Sequence, residues 1–77
     1  MSEAMTLSCF ASTEAQLVRI AERVKQAGLF DGYEEQVYGE NIMVVVRTRS
    51  FEEREKVKAI FREAGITEYS YEEDSYA

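Results

Sequence analysis

A four-stranded antiparallel sheet with two helices on one face is the α+β architecture this sequence predicts, on three observations. Two segments carry complete helix start and stop signals. Four others alternate or run apolar as strands do. The plan also repeats, since Thr13, Gly28 and Leu29 recur 37 positions later as Ser50, Gly65 and Ile66. At 77 residues the chain holds one domain and one core. A chain of this size buries only about 60% of the surface its unfolded form exposes, so each apolar face has to be used well.

The domain is expected to span residues 5–73, with residues 1–4 as a frayed N-terminus and 74–77 as a frayed acidic tail. Met5 to Ala11 alternates as a first strand, Leu7 and Cys9 on one face and Thr6, Ser8 and Phe10 on the other. A helix over about Thr13–Ala27 follows. Thr13 with Gln16 forms a capping box at its start, each side chain reaching the other residue's free backbone N–H. Leu17, Ile20, Ala21, Val24 and Ala27 make its apolar stripe. Gly28 stops it by taking the left-handed conformation without steric cost, and Leu29 can fold back on Val24.

Tyr33 to Tyr38 reads as a polar second strand, joined through a Gly39-Glu40 turn to the β-branched run Ile42 to Val46. The second helix repeats the first over about Phe51–Ala64: Ser50 with Glu53 as the box, Val57, Ile60, Phe61 and Ala64 as the stripe, Gly65 as the stop. Thr67 to Glu72 is the weaker fourth strand.

The order βαββαβ, made of two βαβ halves, is the ferredoxin-like arrangement. Right-handed crossovers give it strand order 4-1-3-2. The acidic residues agree: Glu34, Glu35, Glu68 and Glu72 fall on the strands assigned to the edges, where they discourage pairing with another chain. Arg47 and Arg49, beyond the Ile42–Val46 run, would guard it against aggregation. The expected core is Leu7, Cys9, Leu17, Ile20, Val24, Ile42, Val44, Val46, Val57, Ile60 and Phe61. Tyr69 and Tyr71 face the helices, because burying the glutamates beside them would cost several times more.

The segments Phe10-Ala11-Ser12-Thr13-Glu14-Ala15, Ala27-Gly28, Val44-Val45-Val46-Arg47-Thr48 and Ala64-Gly65-Ile66 resemble the small bacterial general-stress-protein domains, also labelled heat-induced stress proteins. The resemblance covers roughly Thr6 to Glu73 and implies a fold and a stress context, with no catalytic residues to carry over.

Composition narrows the function. Nine basic residues against fifteen acidic ones, a net charge of −6, oppose a phosphate backbone and an anionic membrane surface. No nucleic acid and no membrane are therefore expected. The longest apolar run, Ile42 to Val46, is far short of a span, and no signal peptide is recognisable. With no histidine and one cysteine, structural zinc is excluded, no cofactor is implied, and a reducing, cytoplasmic setting fits.

Few residues suggest chemistry. Cys9 shares a face with Leu7 and reads as an inert core thiol. The pairs Glu34-Glu35 and Glu72-Glu73 would each point to opposite faces of a strand and cannot converge by themselves. Arg47, Arg49 and Ser50, at the start of the second helix, could bind a small anion. RNA-binding domains of this topology stack bases on aromatics of strands one and three, but here Met43 and Val45 stand where strand three needs rings.

What remains is the helix-free face of the sheet, where Phe10, Tyr38, Met43 and Val45 should form one apolar patch, covered by a second copy, by another protein, or by Met1–Ala4 or Tyr76. The sequence thus reads as a non-enzymatic interaction or regulatory module that dimerises through that face. The alternatives are a sensor of small anionic metabolites at Arg47, Arg49 and Ser50 and, third, a cofactor-free enzyme.

Overall fold

The computed structural model describes residues 4–73, so both expected frayed ends, apart from Ala4, lie outside the described residues. The elements run β1 (Met5–Ala11), α1 (Glu14–Gln26), a short 3₁₀ turn (Phe30–Gly32), β2 (Tyr33–Tyr38), β3 (Asn41–Thr48), α2 (Phe51–Glu63) and β4 (Ser70–Glu73). The four strands form one antiparallel sheet in the order β2-β3-β1-β4. This is the ferredoxin-like α+β fold, with the two most apolar strands at the centre.

Both helices are bounded by their caps. Thr13 Oγ1 accepts the Gln16 N–H at 3.1 Å and Ser50 Oγ accepts the Glu53 N–H at 3.1 Å. The return half of each box lands one residue earlier than expected. Gln16 Oε1 takes the Ser12 N–H at 2.8 Å and Glu53 Oε1 takes the Arg49 N–H at 2.7 Å. The longer side chains thereby tie down the residue that leaves each strand, and they fix the angle between strand and helix.

The C-termini also match each other. The Leu29 N–H reaches Val24 O and the Gly28 N–H reaches Lys25 O; Ile66 to Phe61 O and Gly65 to Arg62 O repeat the pattern. Gly28 and Gly65 have φ of 77° and 88°, the left-handed value that a Schellman cap demands. Each cap turns its next residue inward, so Leu29 and Ile66 join the core.

Packing follows from register. Leu7 faces Val46 and Cys9 faces Val44 across β1 and β3, and all four are buried beneath the helices. Ile20 and Val24 of α1, with Val57, Ile60 and Phe61 of α2, close the core from above. It is wider than expected, taking in Met5, Leu29, Ala64 and Ile66 as well. Leu17 and Ile42, expected inside, are only partly buried, because they lie at the hairpin end, where the helical layer begins. Thr48 is buried, and its hydroxyl donates to Met5 O at 2.7 Å, which satisfies both groups.

The limits of β3 and β4 depart most from expectation. β3 is longer than its apolar run, and Arg47 lies within it. β4 is shorter and starts three residues late, at Ser70. Ile66 is drawn into the core, and Tyr69 meets the Phe61 ring edge-on at 5.7 Å, so the chain reaches the sheet only at Ser8. Tyr71 is aligned with Leu7 on the helix side, yet it is 58% exposed and lies under Lys58 Nζ. An edge strand extends past the cover the helices provide.

If the central pair carries the fold, backbone amides of Leu7–Cys9 and Val44–Val46 should exchange slowest, and Gln36–Tyr38 much faster. Slowest exchange in Gln36–Tyr38 would contradict this strand order. Phe61, fully buried, should cost about 3–5 kcal/mol when changed to Ala, measured by urea unfolding.

Candidate interaction surface

A sheet covered on one side only has a second face, and alternation decides what it displays. Because Cys9 and Val44 point into the core, Phe10 and Met43 are opposed on the other side, as are Ser8 and Val45. On β2, Gln36 opposes Met43 and Glu34 opposes Val45. The two-residue turn Gly39-Glu40, with Gly39 at φ 61°, sets that register and brings Tyr38 to the same face.

The structure therefore unites the four residues expected to form a patch. Phe10 and Tyr38 are each 53% exposed, while Met43 beside them and Val45 further along β3 are half-buried. The Phe10 and Tyr38 rings meet edge to face at 6.4 Å, the arrangement favoured by the ring quadrupoles. Tyr38 Oη donates to Gln36 Oε1 at 2.9 Å, and Gln36 Nε2 donates to Glu34 Oε2 at 2.8 Å. This ladder along β2 holds the ring in place and forms a polar margin on one side. At the far end, the row Arg47, Thr6 and Glu72 supplies both signs of charge.

Arg47, Arg49 and Ser50 are placed differently. Arg47 is on the open face, opposite Thr6. Arg49 pairs with Asp31 at 2.5 Å, and Ser50 Oγ is occupied as the helix cap. The 3₁₀ turn brings Asp31 there, because Gly32 lies against the Arg47 backbone. A Cβ on Gly32 would lie 2.7 Å from the Arg47 carbonyl oxygen. The Asp31-Gly32 pair was the legible signal for this turn.

Among the acidic pairs, Glu34 and Glu35 do point apart: Glu34 takes the Gln36 amide, while Glu35 accepts the Tyr33 hydroxyl at 2.5 Å on the helix side. Among the described residues no group of three or more acidic or cysteine side chains could hold a metal ion. No helix there is long and apolar enough to cross a membrane. Cys9 is a buried free thiol, and burial pushes its pKa up to about 11.

No protein family, curated protein or solved structure matches this chain.

The Cys9 environment makes a test at high pH. Its pKa is raised from 9.0 to about 11, so the folded state holds the proton more tightly than the unfolded one. The stabilisation is complete below pH 9 and declines as pH rises from 9 towards 11. Tyr33, raised by burial and then by its bond to Glu35, adds a decline of the same sign that begins only above its ordinary value near 10. Stability measured by denaturant between pH 9 and 10 should fall in the wild type and fall less in Cys9→Ala. An equal slope in both would remove Cys9 as the cause.

Proposed function

We propose that this domain is a non-enzymatic interaction module that works as a homodimer, two copies meeting through the helix-free faces of their sheets. The observation carrying this reading is the contiguous patch of Phe10, Tyr38, Met43 and Val45, with its two outer rings half exposed and in contact. Monomeric proteins seldom leave such a patch wet, and a core this small gains stability by mass action when a partner covers it.

One further feature favours a second copy as the cover. A two-fold interface must be complementary to itself, and this face carries Arg47 together with Glu34 and Glu72 around an apolar centre. The expected cover by Met1–Ala4 or Tyr76 falls almost wholly outside the described residues. Ala4 precedes Met5, and Glu73 pairs with Met5, at the end of β1 away from Phe10.

The anion-sensor reading has less behind it. Asp31 already neutralises Arg49, Ser50 Oγ is committed to its cap, and the Glu53 carboxylate sits where an anion would approach α2. The resemblance to general-stress-protein domains would give the dimer a stress context in a bacterial cytoplasm.

Sedimentation from low to high micromolar concentration tests the proposal. The wild type should move from the mass of one chain to that of two. Phe10→Glu should stay at one chain with an unchanged circular dichroism spectrum. A wild type that remains one chain at high micromolar concentration ends the dimer reading.

A further inference from the structure

The β2–β3 hairpin is apolar on its other face too, and there the charge is of one sign only. Val37 and Ile42 oppose each other on the helix side of the sheet, yet Val37 is 74% exposed and Ile42 only half-buried. Next to them Ala11, Leu17, Val18 and Ile42 floor a groove between the first turn of α1 and the hairpin, with Glu14 and Glu40 among its lining residues. Val18 stands off the core stripe of α1 and is 48% exposed. Glu35 shares the face of Val37 two residues before it. No lysine or arginine lines the groove. At the helix start, the Ser12 and Gln16 N–H groups are already bonded to Gln16 and Thr13.

These charges select the occupant. Two copies of this chain would bring glutamates against glutamates there, so the groove is unsuited to self-association. Anionic lipid and nucleic acid are repelled for the same reason. We infer that the groove receives a basic amphipathic segment of another protein, its apolar side chains on Leu17, Val18 and Ile42 and its lysines or arginines against Glu14, Glu40 and Glu35. This combines helix-in-groove docking with electrostatic complementarity at the rim. The groove and the Phe10–Tyr38 patch are on opposite sides of the sheet, so the inference is independent of dimerisation. The domain would then hold itself by one face and a different protein by the other.

The probe is a synthetic helical peptide with leucines on one face and lysines on the other, compared with a counterpart bearing glutamates for lysines. Each is titrated into the ¹⁵N-labelled full chain, as wild type and as Phe10→Glu. The lysine peptide should give saturable shifts at Leu17, Val18, Val37 and Ile42 in both proteins, weakening as salt rises. Its affinity should fall by roughly an order of magnitude in Glu14→Lys/Glu40→Lys. Val37→Ser, at an exposed site that leaves the fold intact, should weaken it as well. Equal shifts from both peptides, shifts confined to the open face, or no saturable shift with the lysine peptide would each overturn the inference.

Discussion

The seven-residue pairing of β1 with β3 is the constraint on which the rest of this molecule depends. Met5 opposes Thr48 and Ala11 opposes Ile42, with every residue between in step. Side chains alternate with a period of two, so a slip of one residue would send Leu7, Cys9, Val44 and Val46 to the open face and Phe10 and Met43 beneath the helices. Thr48 adds a side-chain bond to its ladder pair, its hydroxyl donating to Met5 O. Both crossovers start from this pair, and the caps tie the residues that leave it, Ser12 and Arg49, to the first turns of their helices.

A two-layer domain of this kind has a face that folding does not use, and its chemistry decides what the fold is for. Here the middle of that face is apolar and its ends carry charge. Phe10 is where a base-stacking ring would stand, but its opposed residue is Met43 and the next along is Val45. The net charge of −6 opposes a phosphate backbone, which is why the proposed reading of this face is contact with protein. The hairpin adds a distinction that composition conceals. Mixed charge surrounds the aromatic patch on one side, and glutamate alone surrounds the aliphatic groove on the other. The proposed self-association uses the first, and the proposed basic partner the second.

Cys9 shows how position overrides residue type. The same thiol at a helix start beside a cation would be a reactive group. Opposite Val44, beneath the helices, it is desolvated and held protonated far above neutral pH. It acts as a small apolar side chain, and its chemistry appears only when the fold opens.

Local signals were enough for the parts of the structure governed by local physics. Helix limits followed from side-chain-to-backbone hydrogen bonds at Thr13 and Ser50 and from left-handed glycines at 28 and 65, all within five residues of what they control. The faces of β1 and β3, and so the patch of Phe10, Tyr38, Met43 and Val45, followed from alternation and a two-residue turn. Exposure at the margins was beyond reach, because it depends on where the second layer stops. Val37 and Tyr71 face the helix side, as alternation requires, yet both are open to solvent, since they sit on the two edge strands at the margin of the helical layer. For Arg49 the sequence suggested pairing with nearby glutamates, whereas the 3₁₀ turn brings Asp31 to it from 18 residues away. The sequence by itself determined the elements, their order and the facing of each strand, which depend on neighbours along the chain. Only the tertiary structure decided how far the helices cover the sheet and which charges meet, because those depend on distances that no local pattern encodes.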